Sequence, residues 1–321
     1  NINKDNAEKT NKAIEYAKRH NIQIRQPKFR YSKAEYFMDK ETNSIYKGIA
    51  SMKYLNEDVA NGLYSLKDRQ YNSFLDLLID IGKENVRINS RQMNILISTD
   101  FFEEFGKSQK LFDILDLYDN IMSKKLSSTQ GLVTFTKAKM TYDEEIVREY
   151  ATKETEKQFK VENAYELCCR LIEDIKDIEM PSIDKVKTYV EIMGNCSYSF
   201  EDYTSSTCIV MNTITKFKVK KATLFNIASG KSMEVRIGEG IYALQPFHDL
   251  DVIDIFHMFQ KPKKEQVDVE VVNKKGEVEI KKKWQPTGEF DWYVDEYHLL
   301  DEDEVKQRNE EEREYILSIA D

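Results

Sequence analysis

The residues best suited to binding chemistry form a short run in which basic and apolar side chains alternate. In order they are Lys216, Phe217, Lys218, Val219, Lys220 and Lys221. Because alternate side chains of a β-strand share a face, the pattern predicts the first three lysines on one face and Phe217 and Val219 in the core. Such a row of ammonium groups can hold the phosphates of a single nucleic-acid strand. Residues 213–236 hold six bases, among them Lys231 and Arg236, against one acid. A solvated lysine-rich face is the simpler alternative.

A second candidate for phosphate binding is the segment 45–60, which predicts a tight hairpin in front of a helix. The N-cap of that helix is predicted to be Asn56. Backbone N–H groups at a helix N-terminus can bind a DNA phosphate, and glycines usually allow the close approach. The predicted contacts are the hairpin residues Lys53, Tyr54, Leu55 and Asn56, with the side chains of Lys47 and Arg69. A purely structural connection between helices is the alternative.

No residue pattern typical of an enzyme accompanies these candidates. Asp249, Asp251 and Asp254 come closest to a metal-binding set of acids, but a solvated turn and strand edge account for them as well. The Gly238-x-Gly240 pair fits a dinucleotide-binding motif by letter, but we expect no helix after it, and that motif requires one. The four Cys and four His are too dispersed for a structural zinc site. We therefore expect no catalytic residue and no cofactor in this chain.

Hydrophobic periodicity predicts the elements that must position the candidate residues. Apolar spacings of three and four predict helices over residues 4–20, 57–69, 74–81, 90–98, 107–122, 164–175, 182–193 and 304–319. Residues 123–162 are polar and show no clear period. Beyond residue 204 the composition shifts to Val, Ile, Thr and Phe, and predicts strands over residues 208–219, 222–228, 232–237, 251–259, 267–272, 277–284 and 292–300. Short strands with tight turns indicate a small barrel.

Length and composition therefore favour an α+β protein with a helical first half, a β-rich barrel and a terminal helix. The predicted boundaries are 1–122, 123–203, 204–300 and 301–321. The net charge is −9, but residues 301–321 alone hold nine acids against three bases, so a local basic surface for nucleic acid is not excluded. No apolar run of about 18 residues predicts a membrane span. Dispersed cysteines favour a reduced, cytoplasmic protein. Because the chain opens at Asn1 within a helical pattern, we expect a fragment of a longer polypeptide.

A series of motifs along residues 26–106 resembles one protein family. The motifs are, in order, Gln26-Pro27 with Ser32; Ile45 with Gly48-Ile49 and Met52-Lys53; Phe74-Leu75-Asp76-Leu77-Leu78; Ile88-Asn89-Ser90-Arg91-Gln92-Met93 with Leu96-Ile97; and Phe101-Phe102-Glu103-Glu104-Phe105-Gly106. This order resembles the bacterial replicative DNA polymerase III alpha subunit, family C, in the stretch that follows its catalytic palm. There the family has a Pro-Pro-Asp-x-Asn-x-Ser turn, a Gly-Leu-x-x-Ile-Lys-Gly-Val-Gly hairpin and a Phe-x-Asp-Phe helix. An Asn-Lys-Arg helix and a Gly-Ala-Phe-Asp segment follow.

The resemblance implies the end of the fingers with a helix–hairpin–helix, a helical connector and an oligonucleotide-binding (OB) barrel. It implies a non-catalytic region that holds product duplex and single-stranded template DNA. The catalytic aspartates of the family, and the Mg²⁺ that the parent polymerase would need, belong to a palm that this sequence does not contain. A sliding clamp is a further implied partner. Low glycine content and the divergent hairpin favour a phage or other mobile-element relative.

The sequence departs from the family at two of these motifs. Tyr54-Leu55-Asn56 stand where the family has Gly-Val-Gly, so both hairpin glycines are missing. Residues 109–112, which end in Leu111 and Phe112, are one residue too short for the family's clamp-binding peptide. The alternative function is therefore a protein–protein platform that serves a clamp or other replication partner and no longer binds DNA. A free-standing RNA-binding barrel is a third interpretation.

Overall fold

The structure is a computed structural model that describes residues 16–17, 19–122, 133–194, 196, 198–200, 203–272 and 278–320. The chain divides into two compact units, and each is described by itself. Unit 1 comprises Asn1–Pro181 and Glu312–Asp321, and unit 2 comprises Ser182–Glu311. The β-rich unit thus begins at Ser182, earlier than the predicted boundary at residue 204. The predicted hairpin turn at residues 273–276 and nearly all of the predicted helix over residues 4–20 lie outside the described residues.

Unit 1 opens with a small sheet and continues with four helices. The strands β1 (Gln23–Arg25), β2 (Phe37–Asp39) and β3 (Ser44–Tyr46) form a sheet in the order β1-β3-β2, in which β1 and β3 run parallel. A 3₁₀ turn (Ile49–Ser51) follows. The next elements are α1 (Glu57–Ser65), α2 (Phe74–Lys83) and α3 (Ser90–Ser98). A second 3₁₀ turn (Glu103–Phe105) leads to α4 (Ser108–Leu117), which continues into a π-helical turn (Tyr118–Met122). The predicted helices are present, although α1 ends at Ser65 and not at residue 69.

Local sequence explains where three of these helices begin. Asn56, Ser73 and Asn89 precede α1, α2 and α3, and each side chain accepts a hydrogen bond from the backbone N–H three residues later. These bonds satisfy amides that have no partner within the helix. The helices bury apolar faces that include Leu63 and Leu77, both almost fully buried. Burial of this face holds unit 1 together, because short helices are marginal in water by themselves.

Residues 133–173, for most of which no period was predicted, form a second small sheet with two helices. In order they are β4 (Val133–Thr136), a 3₁₀ turn (Lys137–Lys139), α5 (Glu144–Glu149), β5 (Ala151–Glu154), β6 (Gln158–Val161) and α6 (Ala164–Glu173). The sheet has the antiparallel order β4-β6-β5. Each strand has four residues and two inward side chains at most, such as Phe159 and Val161. So short an alternation cannot be distinguished from a polar loop by periodicity.

Unit 2 is a closed five-stranded barrel with helices attached. Its elements are α7 (Ser182–Met193), β7 (Thr207–Ile214), β8 (Lys220–Asn226), β9 (Lys231–Ile237), α8 (Glu239–Leu244), β10 (Val252–Val272), β11 (Val278–Leu299) and α9 (Glu302–Ile319), the end of which is grouped with unit 1. The barrel order is β10-β11-β9-β8-β7, closed between β10 and β7. Neighbouring strands are antiparallel except for β9 and β11, which are parallel. The barrel core includes Val210, Leu224 and Val294.

Helix α7 joins unit 2 because its apolar face packs on the outside of the barrel. Ile183, Val186 and Val190 of this helix form one buried cluster with Ile209 and Phe225 of the strands. The predicted connector therefore ends before this helix. Packing against the barrel, and not the helical character of the segment, decides to which unit it belongs.

Three predictions for the β-rich half need correction. Strand β7 ends at Ile214, so residues 215–219 form a connection and the alternation predicted for Lys216 to Lys220 does not exist. Nothing in those residues is a Gly, Pro or Asn that would have indicated the turn. The predicted strands from residue 251 onward merge into β10 and β11, 21 and 22 residues long. A six-residue helix, α8, does open after Gly238. It leads to the barrel strand β10, which is antiparallel to its neighbours, and not to the parallel βαβ unit of a dinucleotide-binding fold.

Candidate nucleic-acid interface

The segment between the first 3₁₀ turn and α1, residues 52–56, forms the hairpin. Just before it, the amide of Ile49 donates to the carbonyl of Lys33 at 2.9 Å and that of Ala50 to the carbonyl of Ala34 at 3.0 Å. These bonds bring the backbone at Gly48 so close that a Cβ there would lie 2.3 Å from the oxygen of Ala34. Gly48 is therefore required by packing, and it fixes where the chain enters the hairpin.

Tyr54 occupies a left-handed backbone conformation in the hairpin, with φ of 70°. This conformation costs an L-residue about 1–2 kcal/mol, which is why glycine usually occupies it. Gln92 of α3 compensates: its side-chain amide donates to the carbonyl of Tyr54 at 3.1 Å. Gln92 is itself buried and held in a capping box with Asn89. The hairpin backbone thus has a glycine-like conformation although a tyrosine is present.

Two cations lie close to the ring of Tyr54. The guanidinium carbon of Arg91 lies 3.5 Å from the ring centroid, and the ammonium nitrogen of Lys53 lies 4.9 Å from it. Both side chains are exposed, and the ring is 40% exposed. Arg91 is a functional candidate that the sequence analysis missed. The signal in the sequence was the N-cap Asn89 two residues earlier, but the position of Arg91 on Tyr54 depends on how α3 packs against the hairpin.

The remaining hairpin residues divide between structure and surface. Asn56 caps α1 as predicted, since its side-chain oxygen accepts from the amide of Val59 at 3.0 Å. Leu55 is a buried core residue, so only its backbone could approach a ligand, and its amide donates to the carbonyl of Met52 at 3.2 Å. Glu57 and Asp58 open the helix, where they complement its dipole but repel phosphate.

Lys47 and Arg69 are poorly placed for the predicted role. Lys47 is half-buried, and burial lowers the pKa of its ammonium group. Arg69 donates to Asp80 at 2.8 Å and pairs with Glu84 at 2.8 Å, so its charge is locally compensated. The hydrogen bonds from Arg69 to the Glu84 and Asp80 carboxylates raise the pKa of its guanidinium. These bonds join the connection after α1 to α2 and to its C-cap residue Glu84, which is a structural role.

A groove of about 140 Å³ lies on the barrel. Its lining comes from four strands and consists of Asn212, Ile214, Lys221, Ala222, Thr223, Glu234, Val235, Arg236, Asp291 and Trp292. Ala222 and Val235 belong to the barrel core, so strand alternation places Lys221 and Arg236 on the outer surface. Arg236 pairs with Asp291 at 2.8 Å, and Trp292 is 39% exposed. The groove offers an aromatic ring beside cationic and hydrogen-bonding groups.

The connection 215–219 carries the predicted lysines to the edge of this groove, between the lining residues Ile214 and Lys221. The side chains of Lys216 and Lys218 are exposed. Phe217, predicted in the core, is instead 54% exposed, with the Lys216 ammonium 5.1 Å from its ring centroid. Lys220 is turned inward: its ammonium donates to the carbonyl of Thr215 at 3.1 Å and so holds the connection.

Lys231, a predicted contact, and three aromatic residues of unit 2 are not among the residues that line the groove. Lys231 is exposed at the far end of β9, five residues from Arg236, a span of roughly 17 Å along a strand. Phe225 is buried in the core, and Tyr242 is half-buried, with its hydroxyl donating to the carbonyl of Phe247 at 2.6 Å. Trp284 is 63% exposed on β11.

The aspartates considered for metal binding have other partners. Asp254 is buried and forms an ion pair with Arg308, Asp249 accepts from Thr213, and Asp251 accepts from the backbone amide of His248. Across the described part of the chain, no group of three or more His, Cys, Asp or Glu is placed to hold a metal ion.

The segment considered as a clamp-binding peptide lies within α4. Leu111 is buried, and the Gln109 side chain donates to Asp113 at 2.8 Å on the same helix. These interactions agree with helix packing and lend no support to a clamp peptide.

Comparison with protein-family models finds a match to part of this chain. A family model described as a helix-hairpin-helix motif matches residues 21–112. These residues contain the first sheet, α1 to α3, the hairpin and the beginning of α4, and the motif indicates nucleic-acid binding. No curated protein matches the chain. Among the described residues, no helix is both long and apolar enough to cross a lipid bilayer.

Proposed function

We propose that this chain binds DNA through both units, as the C-terminal region of a polymerase III alpha-like replicative polymerase. The hairpin of unit 1 would hold the backbone of the product duplex. The barrel groove of unit 2 would hold the single-stranded template. No catalytic step is proposed for the described residues, and the polymerase assignment rests on the motif order described above.

The left-handed backbone at Tyr54, within the matched helix-hairpin-helix motif, carries the proposal for unit 1. Other non-glycine residues, Arg30 and Leu250 among them, also have a positive φ, so the weight lies on the position of Tyr54 in the matched motif. Here Gln92 and Arg91 both brace it from α3. We infer that Lys53 and Arg91 replace part of the phosphate binding that backbone amides provide in hairpins with glycines. Their side chains would contact phosphates next to the Tyr54 ring.

Strand order supports an OB assignment for the barrel. An OB fold is a five-stranded Greek-key barrel that binds oligonucleotides on its second and third strands and on the connections after the first and fourth. In this chain those strands are β8 and β9, which line the groove, and the first connection is residues 215–219. The parallel pair β9–β11 and the helix α8 between β9 and β10 fit that topology.

The test is fluorescence anisotropy of a labelled primed duplex and a labelled single strand across a salt series. Lys53→Met/Arg91→Met should lower the slope of log K against log salt for the duplex by about 1.8, because each phosphate that is no longer neutralised removes about 0.9. Lys221→Met should weaken binding of the single strand and leave duplex binding by unit 1 unchanged.

The matched control for unit 1 is Lys153→Met/Lys157→Met, which removes one exposed lysine from β5 and one from the turn between β5 and β6. This control should leave the duplex slope unaltered. Equal loss of duplex affinity in the control and in the hairpin variant would mean that charge alone, and not the hairpin, attracts DNA. No binding of wild type at low salt would refute the proposal and favour the protein–protein platform.

A further inference from the structure

The two longest strands of the chain extend well beyond the barrel as a ribbon, defined here as residues 260–272 and 278–291. The strand β10 pairs with β7 through residues 252–254, and β11 pairs with β9 through residues 292–294. The pairing of β10 with β11 continues outward as far as Val272↔Val278. In the part of the chain that the structure describes, no third strand covers either edge of the ribbon. Both edges therefore leave backbone N–H and C=O groups open to a further strand.

The edge of β10 has a stretch of seven residues, 263–269, that suits strand pairing. Pro262 lacks an N–H donor and so limits any pairing to the residues beyond it. Within the stretch, Val267 and Val269 are half-buried on one face of the strand, and exposed polar side chains alternate with them on the other face. Seven residues are somewhat more than the usual strand length of about five or six. The stretch is therefore long enough to pair with another strand.

Charge along this stretch is arranged symmetrically about Gln266. Lys264 lies two residues before it and Asp268 two residues after it, and all three side chains are exposed on one face of the strand. Within the ribbon, Lys264 lies opposite Pro286, so it has no charged neighbour directly across from it. If a second copy pairs antiparallel with Gln266 opposite Gln266, each Lys264 lies across from Asp268 of the other copy. Opposite charges at such positions stabilise strand pairing.

The composition of the stretch also favours a second copy over a partner of one charge sign. Residues 263–269 hold two lysines and two acids, so their net charge is zero. Neither a polyanion nor a strongly basic partner gains from such a strand, whereas the same strand in the antiparallel direction complements it.

The edge of β11 does not have this complementarity. Lys282 and Lys283 are adjacent and exposed, and residues 280 and 282–288, whose side chains the structure describes, include no acid. Pairing of this edge with itself would bring lysines together, and like charges across from one another oppose strand pairing. The observations therefore select the edge of β10.

Trp284 adds an apolar contact near the centre of the arrangement. It lies opposite Gln266 within the ribbon and is 63% exposed. In a pair of ribbons centred on Gln266, the two Trp284 rings would flank the central pair of glutamine side chains on the same face. Large exposed aromatic side chains commonly mark an interaction surface.

We propose that this protein self-associates through the ribbon, with residues 263–269 of β10 paired antiparallel to the same residues of a second copy about a two-fold axis at Gln266. The product is a four-stranded sheet in which β11 forms each outer edge. The two barrels lie at its opposite ends, and residue 260 of one copy is roughly 40 Å from residue 260 of the other. This inference concerns assembly and is independent of DNA binding by either unit.

Sedimentation equilibrium of the full chain without nucleic acid tests the proposal. Wild type should show a monomer–dimer equilibrium in the micromolar range, since so small an interface is expected to be weak. Lys264→Asp and Asp268→Lys each replace both attractive pairs by like-charge pairs, and each should raise the dimer Kd by about tenfold or more. An equimolar mixture of the two variants should restore association, because the acids of one copy then face the lysines of the other. The control Lys157→Asp, in unit 1, should leave the Kd unchanged.

Disulfide trapping gives a second readout that keeps both charges. Gln266→Cys places a thiol opposite itself across the axis, and directly opposed Cα atoms about 4.5–5.5 Å apart fall within the range of about 4.4–6.8 Å that disulfides span. Mild oxidation should therefore cross-link this variant. The control Glu265→Cys points to the other face and lies opposite Val267 of the second copy. It should cross-link no more than wild type, which has the same four native cysteines.

A monomer at every concentration would overturn the inference, as would a dimer that neither charge variant weakens. Equal cross-linking of Gln266→Cys and Glu265→Cys would place the contact in another register and overturn the axis at Gln266. Failure of the mixture to associate, together with no cross-link in Gln266→Cys, would show that the two substitutions act on the ribbon of one copy and not on a contact between copies.

Discussion

Replacing Arg308 by methionine should destabilise unit 2, because this arginine joins α9 to the barrel. Its guanidinium contacts Asp254 twice, Nη2 to Oδ2 at 2.5 Å and Nη1 to Oδ1 at 3.2 Å. Thr207 donates to the same carboxylate at 2.6 Å. The Asp254 side chain is 9% exposed and that of Arg308 is 33% exposed. Methionine preserves most of the aliphatic packing but leaves a buried carboxylate with Thr207 as its hydrogen-bond donor.

The expected magnitude lies between two limits. An exposed ion pair contributes about 0.2–1 kcal/mol, whereas deleting one partner of a buried pair costs about 3–5 kcal/mol. Because one third of Arg308 remains in water, we expect a loss of about 2–3 kcal/mol in the free energy of unfolding at pH 7. A double-mutant cycle with Asp254→Asn should show that the combined loss is smaller than the sum of the two single losses.

The pH dependence provides an independent check. Burial by itself would raise the pKa of Asp254, but hydrogen bonds from Arg308 and Thr207 outweigh it and hold the pKa below its usual value. A carboxyl group with a depressed folded-state pKa stabilises the protein above its unfolded-state pKa of about 3.9. That contribution is lost as the pH falls through the folded-state pKa. The difference between wild type and Arg308→Met should therefore be constant between about pH 5 and 7 and shrink below about pH 4.

Urea unfolding followed by tryptophan emission measures this loss, since both tryptophans lie on β11 in unit 2. Arg308→Lys, which keeps a charge but not the two-pronged interaction, should fall between wild type and Arg308→Met. A loss below about 1 kcal/mol for Arg308→Met would refute the reasoning, because the pair would then behave as an exposed one.

Two further substitutions test unit 1. Gly48→Ala should destabilise unit 1 by about 1–3 kcal/mol, since the new Cβ would meet backbone atoms that cannot move aside easily. The control Gly240→Ala, at a position with open space around it, should not destabilise unit 2. Thermal unfolding measures both variants, and a similar loss of stability in the two would contradict the close approach of the backbone at Gly48. Gln92→Leu should cost about 1–3 kcal/mol by leaving the hairpin carbonyl and the capping amide without their partner, and should weaken duplex binding. Gln92→Glu keeps the oxygen that accepts from the Asn89 amide but not the N–H that donates to the Tyr54 carbonyl. It should therefore lose duplex affinity with a smaller loss of stability than Gln92→Leu. Wild-type duplex affinity in both variants would show that the hydrogen bond from Gln92 to the hairpin is not needed for DNA binding.

The sequence by itself determined α1 to α4, α6 and the helix–hairpin–helix motif. Capping residues and apolar spacing are local signals, and a short segment such as residues 89–98 contains both. It also indicated correctly that the chain changes from helical to β-rich near residue 200. These features depend on interactions among residues close in the chain, so pattern reasoning could find them.

Only the tertiary structure decided which lysines can meet a ligand. Lys47 and Lys220 look like Lys53 and Lys221 in the sequence, yet packing half-buries the first pair and exposes the second. Arg91 becomes a candidate because α3 places it on the Tyr54 ring, an interaction between residues 37 positions apart.

The length of β10 and β11 was equally beyond local reasoning. The predicted strands left gaps at residues 260–266 and 285–291, which contain Pro262 and Pro286. Both prolines lie in a two-stranded stretch of β10 and β11 next to a register shift, where the loss of a backbone donor is tolerated. Whether a strand continues depends on hydrogen bonds to its partner strand. These bonds exist only once the fold has placed the two strands side by side, so local sequence does not determine the length of either strand.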